Sequence, residues 1–344
     1  MRGALNIPGE LSQVSASLEA GLASVESIFD GQLRSDLPPV AGLVRHVEHY
    51  RGKMLRPTLA ILCGLASDRS RSGAWNELAT VGAVCEMVHM ATLVHDDVLD
   101  EAETRRRGAT VNRLHGNEAA VILGDYLIAS AFHLCSTLPD PEYAREVGKA
   151  SAVMCAGELL QLHHRNDLSL DEATYFEILE RKTGALVAVS CKLGAFAAGA
   201  TPELCARFES FGLKLGVAFQ IQDDLLDLAG DESVVGKSVR KDLEKGKLTL
   251  PLIHHLGVAS PIQRGRTLAA LDRFVTQGSG AGGRADELGA SLAGALESTG
   301  SVTHARAVAS GLVEEALAQL DGIDTSPARQ VLELMAQAVV ARAF

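Results

Sequence analysis

The chain has 344 residues, 47% hydrophobic and 22% charged, and its 43 Asp plus Glu against 32 Lys plus Arg give a formal charge of −11. That composition excludes a disordered chain and speaks against a general nucleic-acid binder, whose affinity rests on basic patches meeting phosphate. Aromatics are only 4%, so the core is aliphatic. The opening MRGALNIPGELSQV lacks the apolar run of a secretory signal. No uncharged apolar stretch of roughly 18 residues occurs; the nearest, Ala185 to Ala200, carries Lys192. The expectation is a soluble cytoplasmic protein with no integral membrane segment.

Helical period runs through nearly everything. Leu11, Val14, Leu18, Leu22, Val25 and Ile28 step by threes and fours, which predicts a helix over 10–30 within an N-terminal segment 1–35. Further helices are predicted near 38–50, 57–67 (opened by Pro57), 76–103, 117–138, 141–165, 171–181, 182–199, 202–229, 248–258, 261–277, 284–299, 301–321 and 326–342. Asp140-Pro141 and Thr201-Pro202 read as N-caps followed by proline at the first helical position, and Ser169 with Glu172 as a capping box. The helices near 117–138 and 202–229 are apolar on most faces, which predicts central members of a bundle. No alternating strand pattern bounded by turn residues is found. The Gly/Ser-rich stretch 277–283 reads as a flexible loop within one all-α domain spanning 1–344. Cys63, Cys85, Cys135, Cys155, Cys191 and Cys205 sit among aliphatic residues and read as buried, reduced side chains.

Two places break the apolar pattern. Cys85 to Glu103 (CEMVHMATLVHDDVLDEAE) sets Asp96 and Asp100 one helical turn apart on one face, with Asp97 between them. Phe219 to Gly230 (FQIQDDLLDLAG) repeats the spacing with Asp223, Asp224 and Asp227. Burying such carboxylates without partners is costly, and a bound cation resolves the conflict. Oxygen donors without His or Cys point to a hard ion, Mg²⁺ in particular if phosphate supplies further ligands. A single such cluster is as readily a solvated helical face; two within apolar helices of one chain are not.

Four basic groups accompany them: Lys53 and Arg56 in RGKMLRP, Arg105 to Arg107 directly after the first cluster, Lys182-Thr183, and the run from Lys237 through Lys241 and Lys245 to Lys247. Each alone is an ordinary solvated run. Together with the acidic clusters they describe a pocket for two polyanions. Lys182-Thr183 is read as opening a helix whose free N–H groups assist phosphate binding.

Through GKMLRP, VHMATLVHDDVLDEAETRR, LGDYLIASAF, KTGAL, FQIQDDLLDLAG and GKSVRKDLEKGKLTLP, in this order, the chain resembles the trans-isoprenyl diphosphate synthases of the polyprenyl synthetase family. The resemblance implies antiparallel helices around a central cavity, a homodimer, and condensation of isopentenyl diphosphate with an allylic diphosphate. It implies that Asp96, Asp100 and Asp223 ligate Mg²⁺, with Asp97, Asp224 and Asp227 as indirect or water-mediated partners. It assigns Arg105, Lys182, Thr183, Gln220, Lys237 and Lys247 to the allylic diphosphate, and Lys53, Arg56, His89 and Arg106 to isopentenyl diphosphate. Arg51, Arg107, Ala109, Ser238 and Arg240 depart from the family's usual residues.

Ala91 and Thr92, one turn before Asp96, are small, and the aspartate motif has no insertion. They form the expected floor for the growing tail and predict a product longer than farnesyl. A shorter-chain synthase and a non-catalytic partner subunit are the alternatives; the latter would be expected to have lost one cluster or its cations. His95 orients the acids or packs, and no function is assigned to His163, His164, His254 or His255.

Overall fold

The computed structural model describes residues 12–67, 74–106, 108–229, 245–277 and 292–341. Helices form where the periodicity places them: α1 Ser12–Gln32, α2 Pro38–Val47, α3 Leu55–Ala66, α4 Ala74–Leu99, α5 Val111–Ser136, α6 Glu142–His163, α7 Glu172–Leu179, α8 Ala185–Ala197, α9 Pro202–Ala229, α10 Leu250–Val258, α11 Pro261–Gln277, α12 292–298, α13 Ser301–Leu320 and α14 Pro327–Val340. The loop expected at 277–283 lies, beyond Gln277, outside the described residues.

Several local expectations change. The two helices predicted at 171–181 and 182–199 are one continuous helical segment, α7 passing into α8 through a π-turn at Glu180–Gly184. Lys182 and Thr183 therefore lie inside a helix, and the free N-terminal N–H groups expected there do not exist. Asp171, not Ser169, caps α7 by accepting from the Thr174 N–H at 2.8 Å, because the Ser169 hydroxyl is committed to Asp167. A two-stranded hairpin, β1 Thr104–Arg105 with β2 Gly108–Ala109, stands where no strand was predicted; two residues per strand are too few to show alternation.

Contacts divide the chain into two compact units, each built from separate stretches: Met1–Ala152, Leu186–Gly212 and Ala318–Met335 in the first, and Val153–Ala185, Leu213–Leu317 and Ala336–Phe344 in the second.

In the first unit α4 is the central helix, with α1, α3 and α5 packed on it, and Leu78 through Val88 are buried without interruption. The helix predicted over 117–138 as one of two central members, within α5, instead leaves Val121 and Ile122 exposed. By length and composition α4 and α5 would both suffice to cross a bilayer, but they pack on each other as core helices, and 78% of the α4 apolar window is buried. Lys192, which interrupts the apolar run of α8, reaches Glu146 at 2.7 Å and Glu209 at 3.1 Å. Five of the cysteines are buried and Cys155 is exposed.

The second unit has its own core, including Ile221, Leu225, Leu250, Leu252, Leu296 and Ala305. His255 is fully buried, with Nδ1 at 2.9 Å from the Thr299 hydroxyl and Nε2 at 2.9 Å from that of Thr267. Beside it His254 stacks on His304 at 4.0 Å, and His304 meets Glu172 at 3.1 Å. Burial pushes the His254 and His255 imidazoles below their ordinary value of 6.5. A histidine so depressed binds its proton more tightly in the unfolded chain, so its contribution is complete above about pH 6.5 and is lost as the pH falls. The thermal midpoint is expected to drop between pH 7.5 and 5, less steeply in His255→Gln; a pH series of circular-dichroism melts checks it.

Candidate active site

The first unit gathers its functional side chains on α3, α4 and the hairpin. Met54 takes a left-handed turn at φ 52° to start α3, which brings Arg56 into the first turn with its Nε buried and without a hydrogen-bond partner among the described residues. Lys53 is exposed. The hairpin pairs Arg105 with Gly108 and leaves Arg106 at its tip, left-handed at φ 47°. The Arg106 guanidinium lies directly over Gly52, where a Cβ would stand 2.4 Å from its amino nitrogen. Only glycine accommodates that approach.

Asp97 points inward and is 1% exposed. It accepts from Arg105 through Nε at 2.9 and 3.1 Å and through an amino group at 2.8 Å. Arg105 also lies over the Tyr50 ring. Burial, opposed by the Val111 N–H that the phenol oxygen accepts, pushes the Tyr50 hydroxyl up to about 12. Asp96, near the end of α4, and Asp100, just beyond it, remain half-exposed. His95 packs on α5, its Nε2 at 3.1 Å from the Val121 carbonyl.

Glu86, one turn before His89 on α4, is 2% exposed. Burial raises its pKa, and Arg56, Arg106 and Arg51 oppose the shift. Burial likewise lowers Arg56, with Glu86 opposing. His89 is driven well below its ordinary value by burial first and then by Arg56, Arg106 and Arg105, which keeps it a neutral hydrogen-bonding group among cations. Arg51 is occupied by Asp30 and by the Phe29 ring 4.4 Å away.

The second unit builds a matching arrangement on the π-turn and α9. Lys182 pairs with Glu158 and donates to Gln161 at 2.9 Å. Thr183 donates to the Gln220 carbonyl at 3.2 Å, and Gln220 donates from Nε2 to Asp224 at 2.9 Å. Tyr175 donates to the other Asp224 oxygen at 2.6 Å. Asp224 is thus buried and satisfied, while Asp223 is half-exposed. Lys182, Thr183, Gln220, Asp224 and Lys247 line one cleft. Lys237, Arg107, Ser238 and Arg240 and the side chain of Asp227 lie outside the described residues.

In both clusters, then, the second aspartate turns inward to protein donors while its neighbour stays accessible. The sequence reading missed Glu86, Glu158, Gln161 and Tyr175. None of the four carries a local signal that separates it from an ordinary core or surface residue. Among the described residues no three carboxylate, His or Cys side chains converge as a metal cage. An accessible Asp96–Asp100 pair, with oxygen donors only, suits an ion that takes one or two carboxylates and fills its remaining positions with phosphate and water, as Mg²⁺ does.

The polyprenyl synthetase family profile matches residues 38–278. The chain belongs to the polyprenyl synthetase family. It is 32% identical to octaprenyl diphosphate synthase of Escherichia coli over 332 residues, 96% of this chain and 99% of that one. It is 34% identical to a short chain isoprenyl diphosphate synthase of Methanothermobacter thermautotrophicus, over 90% of this chain and 92% of the relative. Among solved structures, polyprenyl synthase from Caulobacter crescentus, complexed with calcium and isoprenyl diphosphate, superposes with a TM-score of 0.86 at 28% identity, covering 96% of this chain and 98% of that one. Membership makes the chain an isoprenyl diphosphate synthase by class, and the all-α architecture is the one these relatives share.

Proposed function

We propose that the chain is an all-trans polyprenyl diphosphate synthase that joins isopentenyl diphosphate to an allylic diphosphate and yields a product longer than farnesyl. The observation that carries this reading is the doubled arrangement just described: accessible aspartates beside an inward, protein-bound one, each next to its own set of cations. Asp96, Asp100 and Asp223 would hold Mg²⁺, which neutralises the charge developing on the departing diphosphate. Lys182, Thr183, Gln220 and Lys247 bind the allylic diphosphate, and the family resemblance assigns Lys237 and Arg105 to it as well. Lys53, Arg56, His89 and Arg106 hold isopentenyl diphosphate. Its double bond attacks the allylic carbon as the carbon–oxygen bond breaks, and the displaced diphosphate accepts the proton that is then lost.

The test is incubation of the chain alone with farnesyl or geranylgeranyl diphosphate, labelled isopentenyl diphosphate and Mg²⁺. A ladder of products beyond the C20 alcohol supports the reading; arrest at C15 or C20 makes it a shorter-chain enzyme, and no incorporation without a second chain makes it a partner subunit.

Ala91 is fully enclosed, whereas Thr92 is half-exposed with its hydroxyl donating to the His89 carbonyl at 2.8 Å. Of the two expected floor residues only Thr92 presents a surface. Thr92→Phe is expected to shorten the product distribution, while Ala91→Phe overpacks the core at about 1–3 kcal/mol. Chromatography of the products and a melt of each variant separate the two effects. Gly52→Ala displaces a flexible guanidinium rather than backbone, so KM for isopentenyl diphosphate should rise about tenfold with little change in thermal midpoint.

A further inference from the structure

The connection between α6 and α7 is built more firmly than a linker requires. Asn166 is left-handed at φ 63°, and its N–H donates to the Gly246 carbonyl at 2.8 Å. Gly246 is itself left-handed at φ 68°, and a Cβ there would stand 2.1 Å from the Asn166 side-chain oxygen. This clasp fixes the backbone next to Lys247 at the rim of the cleft. One residue further, Asp167 accepts from the Ser169 N–H at 2.9 Å and hydroxyl at 2.5 Å through Oδ1, and meets His164 Nδ1 at 2.8 Å through Oδ2. The Ser169 hydroxyl, followed by His164 and the Ser169 N–H, holds the Asp167 carboxyl down to about 2.

An ionised carboxylate only accepts, so the proton in that contact sits on His164 Nδ1. This fixes the tautomer and leaves Nε2 as the ring's remaining polar atom, with no hydrogen-bond partner among the described residues. The His164 side chain is 24% exposed and lines the same cleft as Lys182 and Lys247. Among the described residues, Asp171, which caps α7, acts on it electrostatically, and Asp224, which is bound by Tyr175 and Gln220, shares the cleft.

We propose that His164, oriented by Asp167, donates a hydrogen bond from Nε2 as an imidazolium to the diphosphate held in this cleft, a third cation beside Lys182 and Lys247. The proposal rests on the reading of the cleft as a diphosphate site, and it adds a substrate-contacting residue from the α6–α7 connection. With Nδ1–H held by Asp167, a donor bond from Nε2 requires a proton on each ring nitrogen in the bound state.

Calorimetric titration of the full-length chain with inorganic diphosphate in Mg²⁺ tests it. His164→Leu should weaken binding about tenfold and raise KM for the allylic diphosphate in proportion, with kcat and thermal midpoint little changed. His164→Gln, which keeps a donor, should recover most of the loss, and Asp167→Asn, which frees the ring, should fall between. A merely structural role would move the midpoint and would not be rescued by glutamine. Wild-type binding that His164→Leu leaves unchanged overturns the role of His164 alone. A wild-type chain that takes up no diphosphate overturns the cleft assignment and this proposal with it.

Discussion

Asp96→Ala is expected to lower kcat/KM by on the order of 10²–10³-fold while the chain still folds. The side chain is half-exposed near the C-terminal end of α4, and alanine is the best helix former, so helix propensity does not oppose the change. What disappears is one of two carboxylates available to the metal that neutralises the leaving group. The loss should therefore come with a higher Mg²⁺ requirement, read from activity across a Mg²⁺ titration and from the shift in melting that Mg²⁺ and diphosphate produce together. The adjacent Asp97→Ala should behave in the opposite way. Asp97 is buried against Arg105, and removing it strands a guanidinium, so the dominant effect is a fall in stability. Equal effects of the two substitutions would contradict the division of labour between outward and inward aspartates.

The second large effect is predicted for Glu86. Its carboxyl is buried, Arg56 and Arg106 oppose the shift that burial imposes on it, and burial dominates the electrostatics of both Glu86 and Arg56. Removing one of two opposed buried charges leaves the other uncompensated, a loss of up to about 3–5 kcal/mol. Glu86→Leu should lower the chemical-denaturation stability by up to that order and weaken isopentenyl diphosphate binding, because Arg56 and Arg106 lose the opposite charge that offsets their burial. Adding Arg56→Met should restore most of the stability, since removing both opposed charges together is often neutral, but not the binding. A double-mutant cycle in urea, with KM measured for each variant, checks both halves. Additive losses would show that Glu86 does not act through Arg56.

The helices and the acidic clusters were legible because each rests on local pattern. Periodicity of Leu and Val sets the helices, and Asp96, Asp100 and Asp223 announce themselves as charge where an apolar face should continue. What stayed hidden depends on residues far apart in the chain. Nothing around Glu86 marks it as the buried carboxyl that Arg56 and Arg106 act on, and Tyr175 reads as a core aromatic until Asp224 is seen to accept its proton at 2.6 Å. The centrality of α4 over α5 was likewise invisible, since both are long and apolar and only their partners differ. Ser169 was misread because two acceptors, a helix start and Asp167, compete for one hydroxyl, and the sequence does not say which wins.

The π-turn at Glu180–Gly184 also bears on how this stretch of chain tolerates insertions and deletions. A π-turn holds one residue more than the regular ladder needs. Deleting a single residue there would let an unbroken α-helix form, which on local grounds is the easier structure. Because the extra residue is taken up within the turn, the helix on either side would keep its register, and Tyr175 would still face Asp224. The side chains within the turn would be re-aimed, and Lys182 would lose the placement that brings it to Glu158 and Gln161. The shorter helix would be the more regular one while the cleft lost a cation, so a one-residue gap here is expected to cost more activity than stability.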